Sequence, residues 1–317
     1  MSGSPVKVAG RNAGFDYRER IAAAADGEPV LEYLARRYRH SSSALWRERL
    51  LEGRVLVDAQ PVGPDARLRR GQCLVWRRPP WTEPDAPEGF AVLYRDAALL
   101  VVAKPAGLPT LPGGGFLTRT LLAQVQGRYP EATPLHRLDR GASGLVLCAR
   151  TGAARDRLAE AFRTGAIEKE YRALVTGEPL AESFDIDAPI GRLPHPHVGT
   201  VAAPAAAGTQ GARPARTAFR VLERRGVVSL VAAFPITGRP HQIRIHLAVA
   251  GHPLAGDPLY APGGHPRDSG RPGDIGYFLH AMRLRFRHPE GGAPVEVTCH
   301  PPEVLRPALT PRRRTAI

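Results

Sequence analysis

The stretch PLHRLDRGASGLVLCAR, residues 134–150, packs His136, Arg137, Asp139 and Arg140 into one turn and then runs into an apolar segment. GLVLCAR (144–150) reads as a strand opened by glycine, so HRLDRGAS (136–143) is a loop at the strand's entrance. Cations around a carboxylate favour its ionised form and lower its pKa. An ionised, positioned Asp139 suits a nucleophile, or a base for a weakly acidic proton, and does not suit a general acid. The plain alternative is an Asp that caps the turn beside incidental arginines.

Outward from this strand, three hairpins are legible. FAVLYRDAALLVVAKP (90–105) reads as two strands turning at Arg95–Asp96, and TAFRVLERRGVVSLVAAFPI (217–236) turns near Gly226. GYFLHAMRLRFRHPEGGAPVEVTCH (276–300) turns through Gly291 and Gly292. Hairpins with occasional helices predict an α+β domain with a mixed, largely antiparallel sheet, and regular βα alternation is missing. IEKEYRALV (167–175) predicts a strand with Lys169 and Tyr171 on one face. A phenol beside a cleft stacks on a base and carries a proton; a tyrosine in a strand also simply packs.

TGRPHQIRIHLAVAGHPLAGDPLY (237–260) predicts a helix with Thr237 as N-cap, Pro240 in the first turn and Gly251 at its end. Ile243, Leu247 and Ala250 share one face, and His241 and Arg244 the other, which offers a cation to a cleft. GHPLAGD is expected to be a turn that returns the chain.

The net charge is +14 and the sequence pI about 10.6, which points to a polyanionic partner, nucleic acid above all. Lys7, Lys104 and Lys169 are the lysines, and every other one of the 44 basic residues is Arg. In such a chain Lys104 and Lys169 mark places where a compact charge fits and a planar fork does not, or are chance survivors. Three scattered cysteines without a C-x-x-C pair fit a reduced cytoplasm and speak against a zinc site. No run of 18 apolar residues predicts a membrane span, and the N-terminus lacks an apolar signal core. LPGGGF (111–116) lacks the Lys-Ser/Thr of a phosphate loop. GASGL has Leu145 where a hydrolase's nucleophile elbow needs Gly. The eleven histidines form no cluster with metal-ligand spacing, so neither metal nor cofactor is expected.

The expected organisation is an N-terminal extension (1–27), a small unit (28–78), a Pro-rich linker (79–89), a large domain (90–300) and a basic tail (301–317). In the small unit a helix pair, with Ser42 or a neighbour as a cap and Gly53 as a stop, leads into short strands. Arg36, Arg37, Arg39, Arg47, Arg49 and Arg54 crowd it with Glu48 and Glu52 as offsets, which predicts a phosphate-binding face. Residues 198–216 are low in complexity and predict a long loop.

Taken in order, LLVVAKPAGLPT, HRLDRGASGLVL, EKEYRALV, GRPHQIRIHLAVAGHPLAGDPLY and FLHAMRLRFRHP resemble the RluA-type family of RNA pseudouridine synthases over about residues 90–300. One departure is Ala142, where the family usually has Thr. The resemblance implies a bisected mixed sheet with flanking helices and a basic cleft. It implies Asp139 as the catalytic aspartate, Arg244 as its ion-pair partner and Tyr171 stacked on the target uracil. Arg137 would fill the space of the flipped-out nucleotide, with His136, Arg140, Lys169 and His241 as further substrate contacts. Residues 28–78 resemble the small αL-type RNA-binding module of ribosomal proteins. The implied enzyme is a cytoplasmic monomer that isomerises uridines in ribosomal or transfer RNA without cofactor. A non-catalytic RNA-binding protein and a base-excising hydrolase are the rival readings.

Overall fold

The computed structural model describes residues 10–308. The chain divides into two compact units, one holding the described residues up to Asp85 with His195–Gly199, the other Ala86–Pro194 with the described residues from Thr200.

The small unit is a four-stranded antiparallel sheet with two helices. Its elements are β1 (Phe15–Arg20), α1 (Val30–Arg37), α2 (Ser43–Leu51), β2 (Val55–Val57), β3 (Gln60–Pro61) and β4 (Cys73–Arg78), in sheet order β1-β4-β2-β3. Val30, Leu34, Trp46, Val55 and Leu68 are its fully buried centre. Ser42 caps α2, its side chain accepting from the Leu45 amide at 3.2 Å, as the sequence predicts.

Two boundaries move. Residues 15–20 are not an extension: they pair with β4 along its whole length. The stretch 79–89 is not a free linker either. The Asn12 amide donates to the Trp81 carbonyl and its side chain to Glu83, whereas the Gly89 amide donates to Gln124. The division therefore falls between Asp85 and Ala86.

The large unit continues with β5 (Ala91–Arg95), β6 (Leu99–Lys104), α3 (Leu121–Arg128), β7 (Thr133–Pro134), β8 (Ser143–Ala149) and α4 (Gly152–Thr164). Next come β9 (Glu168–Thr176), β10 (Ser183–Asp187), β11 (Ile190–His195), β12 (Gly199–Pro204), β13 (Arg216–Arg224) and β14 (Val228–Pro235). The unit closes with α5 (Gln242–Val249), β15 (Leu279–Arg287) and β16 (Pro294–Thr298). Its main sheet has ten strands in the order β10-β13-β14-β9-β15-β8-β6-β5, with β16 on β15 and β7 on β8. All three predicted hairpins are present. The β8–β15 pair is parallel, and all others are antiparallel. This is the expected mixed, largely antiparallel sheet. Residues 198–216 are not one long loop, because 199–204 form β12 against β11.

The parallel seam is thin. Only His280↔Ser143 and Ala281↔Gly144 pair across it. Gly144 has φ +107, and a Cβ there would stand 2.2 Å from the Ala281 carbonyl oxygen, so the close approach of the strands requires glycine. Pairing of β8 with β15 is thus confined to the start of β8, whereas β6 pairs with it from Gly144 to Ala149, and the loop that enters β8 carries Asp139.

Candidate active site

The 136–142 loop is clamped from one side by residues 104–110. The Gly107 amide donates to the Arg140 carbonyl at 2.7 Å, and the Arg140 Nε donates back to the Gly107 carbonyl at 3.1 Å. Thr110 Oγ1 donates to the Leu138 carbonyl and accepts from the Leu138 amide. Lys104 is buried, and its Nζ donates to the carbonyls of Pro105, Leu108 and Arg140 at 3.0, 2.6 and 3.5 Å. An ammonium has three donors, and three carbonyls stand around it here. Burial pulls the Lys104 pKa down to about 7, against the attraction of Asp139. Asp139 is therefore fixed between two residues, Leu138 and Arg140, whose backbones are both tied.

Helix α5 closes the site from the other side. Arg244 is fully buried. Its Nε and Nη2 donate to the two carboxylate oxygens of Asp257, both at 2.8 Å, and Nη1 donates to Asp139 Oδ2 at 3.2 Å. The guanidinium lies 4.3 Å from the Tyr277 ring centroid. Burial alone would lower the Arg244 pKa, but Asp257, Tyr277 and Asp139 outweigh it and the cation is permanent. For Asp139, burial would raise the carboxyl pKa, but His241, Arg244 and Arg137 prevail and hold it below the usual carboxylate range. Asp139 thus sits among basic side chains, with Arg244 in hydrogen-bond contact.

His241 places Nε2 3.6 Å from Asp139 Oδ1, and its Nδ1 is 2.7 Å from the Tyr260 hydroxyl. Tyr171 is buried on β9, and its pKa is raised, first by burial and then by the charge of Asp139. Its hydroxyl has no hydrogen-bond partner among the described residues. Arg137 is exposed and forms no ion pair among them. Lys169 is half-buried, its pKa lowered by burial. Two predicted substrate contacts engage the protein itself. His136 Nε2 accepts from the Leu147 amide at 3.0 Å, with the ring against Phe162, and burial holds its pKa down to about 4. The Arg140 guanidinium, besides its bond to Gly107, lies 4.9 Å from the Phe116 ring.

The helix itself differs from its prediction. It begins at Gln242 rather than near Thr237, after His241 in the left-handed region, and Gln242 to Ala248 are all buried. Thr237 instead donates to Gln242 Oε1 at 2.7 Å. The face expected to offer a cation to a cleft is buried: Arg244 meets Asp257 of the 257–260 turn, and His246 meets Thr217 of β13.

Asp257 is the residue that the sequence reading missed. It lies in GHPLAGD, expected to be merely a turn, yet it holds Arg244 with both oxygens and also accepts from the amides of Leu259 and Tyr260. Its signal was a carboxylate thirteen residues after a buried cation. Among the described residues no group of three or more His, Cys, Asp or Glu is placed to hold a metal ion, and no helix is long and apolar enough to cross a membrane.

The sequence profile of RNA pseudouridylate synthases matches residues 98–249, a stretch that holds Asp139, Tyr171 and Arg244. An uncharacterised RNA pseudouridine synthase of Synechocystis is 40% identical over 88% of this chain and 97% of its own. RNA pseudouridine synthase 5 of Arabidopsis thaliana is 37% identical over 87% and 89%, and the ribosomal large subunit pseudouridine synthase D of Neisseria meningitidis 34% over 91% and 79%. Human RNA pseudouridylate synthase domain containing 1 superposes with a TM-score of 0.52 at 30% identity, over 69% of this chain and 86% of that one. The chain belongs to the RluA-type family of RNA pseudouridine synthases and is an isomerase acting on RNA.

Proposed function

We propose that this chain converts specific uridines of ribosomal or transfer RNA to pseudouridine through Asp139, without a cofactor, as a cytoplasmic monomer. The observation that carries this reading is the Asp139–Arg244 pair, a buried cation that keeps one carboxylate ionised at the mouth of β8. In the reaction uracil leaves the ribose, turns over and rejoins through C5. An ionised Asp139 traps the sugar carbon C1′ as the base departs, or removes the proton that drives elimination. The reaction changes neither mass nor oxidation state, so it calls for no electron carrier. The target base must leave its stack, at a cost of a few kcal/mol. Arg137, exposed beside Asp139, occupies the vacated space, and Tyr171 stacks on the flipped uracil. Lys169 and His241 complete the substrate contacts, and His136 and Arg140 act by holding the loop. Between the two RNA classes, the ribosomal one is favoured by the Neisseria relative, which is named for the large subunit. A map of pseudouridine in ribosomal and transfer RNA, with and without this gene, tests the choice: sites lost only from one class identify the substrate.

Tyr171→Phe keeps the ring and loses the hydroxyl. If that hydroxyl carries a proton, turnover falls on the order of 10²-fold while RNA affinity holds. Equal loss of affinity in Tyr171→Phe and Tyr171→Ala would make the residue a packing group.

The small unit is read as an αL-type RNA-binding module. The six clustered arginines are less free than their sequence suggests. Arg36 pairs with Glu28, Arg37 with Glu19 and Arg54 with Glu52, and Arg49 lies 4.5 Å from the ring centroids of Trp46 and Trp76. Arg39 and Arg47 remain exposed for phosphate. Deleting residues 1–85 is expected to weaken RNA binding and flatten its salt dependence. Isomerisation of a short RNA at saturation should persist, since Asp139, Tyr171 and Arg244 lie in the large unit, with its own core. A folded but inactive truncation would show that the small unit helps to build the active site.

A further inference from the structure

We propose that the face of the small unit shared by β1 and β4 is a stacking platform for unpaired nucleotides of the substrate RNA, whose bases lie on Tyr17 and Phe15 and whose phosphates meet Arg78 and Arg49. It rests on the reading of the small unit as an RNA-binding module, and it goes beyond a phosphate-binding face, which a duplex fits equally well.

The pairing of β1 with β4 sets Phe15 opposite Arg78 and Tyr17 opposite Trp76. Directly opposite residues of an antiparallel pair project from the same face, so two rings of β1 stand beside a ring and a cation of β4. Phe15 meets Tyr17 edge-on at 4.9 Å between centroids, Tyr17 stacks on Trp76 at 5.1 Å and 18°, and Trp76 meets Trp46 edge-on at 5.0 Å. The row runs from surface to core: Phe15 is 45% exposed, Tyr17 41% and Trp46 0%. A lone exposed apolar residue needs no explanation, but two adjacent aromatic rings seated on a tryptophan pair form a surface that water serves poorly. Their anchoring in the core holds them in place before a base arrives, which spares the entropy of ordering them on binding.

The cations beside the rings are held but not neutralised. Arg49, on α2, lies 4.5 Å from the ring centroids of both Trp46 and Trp76, and its Nη1 donates to Ser41. Arg78 lies 3.5 Å from the Trp81 ring centroid and 6.0 Å from that of Trp76. Neither arginine forms an ion pair among the described residues. Nearby carboxylates are committed elsewhere. Glu19, on the same face of β1 as Tyr17, accepts from the Tyr33 hydroxyl and pairs with Arg37, while Asp16 pairs with Arg18 and Glu52 with Arg54. The Arg49 pKa is lowered first by burial and then by Arg78, with Glu48 the leading offset, so the two guanidiniums repel each other across the cluster. The buried Trp76 Nε1 also lacks an acceptor among the described residues. Unmet donors and two like charges without a counterion suit a phosphate.

Rings and unneutralised guanidiniums side by side match a single strand. A duplex keeps its bases stacked and presents phosphates alone, whereas an unpaired strand offers a π-face and a phosphate at every nucleotide. Every base has such a face, so the platform holds RNA without reading its sequence.

All three tryptophans of the chain, Trp46, Trp76 and Trp81, lie in this cluster, so the tryptophan fluorescence of the full-length protein reports on it. The probe is a short oligoadenosine, which offers no uridine to the active site. It should quench the fluorescence saturably, and the same strand annealed to oligouridine should not. Tyr17→Ala should weaken oligoadenosine binding on the order of 10-fold, whereas Tyr17→Phe, which keeps the ring, should bind like wild type. Arg78→Ala should flatten the slope of log affinity against log salt by about 0.7, the value for one contact to a single strand. Wild-type affinity in Tyr17→Ala, or equal losses for single strand and duplex, overturns the platform. Should Tyr17→Ala not fold, wild-type affinity in Phe15→Ala overturns it instead. If Arg39→Ala combined with Arg47→Ala weakens RNA binding while Tyr17→Ala does not, the platform alone fails. If neither variant weakens it, the reading of the small unit as an RNA-binding module fails as well.

Discussion

Asp139→Asn is expected to abolish pseudouridine formation, by at least the order of 10⁴-fold, with RNA affinity nearly intact. The amide has the shape of the carboxylate and lacks its charge, so it neither bonds to C1′ nor removes a proton. No second acid stands ready to replace it, because both oxygens of Asp257 are committed to Arg244. The same substitution should show in stability. Burial opposes the ionised Asp139 carboxyl, but His241, Arg244 and Arg137 together hold its pKa below the ordinary 3.8. A depressed carboxyl pKa contributes stability that is present above the unfolded pKa and lost as pH falls through the folded one. The melting difference between wild type and Asp139→Asn should therefore be greatest above about pH 4 and shrink below it. Release of tritium from C5-labelled uridine at the wild-type rate would remove Asp139 from the chemistry.

Arg244→Ala is the second large effect. It leaves Asp257 buried without a cation and Asp139 without its ion-pair partner. Removing one member of such a buried pair costs about 3–5 kcal/mol of stability. Turnover should fall on the order of 10²–10³-fold, the scale of a lost preorganised charge. Arg244→Lys restores the charge without the fork that meets Asp257 with two nitrogens and Asp139 with a third, so its rescue should be partial. Asp257→Asn should resemble Arg244→Lys, since it leaves the cation in place and loosens its aim. These effects are read by thermal melting and single-turnover kinetics. Wild-type kinetics in Arg244→Ala would reduce α5 to a packing element.

Local signals carried much of this architecture. Each hairpin announced itself by alternating apolar residues around a turn, and each turn lies where its Gly or Asp predicted. The loop before β8 was legible because a glycine and an apolar run fix a strand start, and charges ahead of that start have nowhere to go but the strand's mouth. What escaped was fixed by tertiary packing. Periodicity placed Arg244 on a polar helical face, but the face is buried, and the carboxylate that makes burial tolerable sits thirteen residues further on in an unremarked turn. His136 and Arg140 share the charged turn with Asp139, and only the fold shows that one accepts from the Leu147 amide and the other clasps Gly107. Phe15–Arg20 mixes charge with aromatics too evenly to declare a strand, and it becomes one by pairing with Cys73–Arg78. Lys104 stood out by composition alone, and only the fold shows its Nζ among three backbone carbonyls.

The central claim is that this chain isomerises uridine in RNA through Asp139. Its most direct measurement follows a defined RNA by intact mass and by nucleoside chromatography, after incubation with wild-type enzyme or Asp139→Asn. The account predicts unchanged RNA mass, loss of uridine and an equal gain of pseudouridine with wild type, and no conversion with the variant. A fall in RNA mass with free uracil released, or bound RNA with every uridine intact, would contradict it.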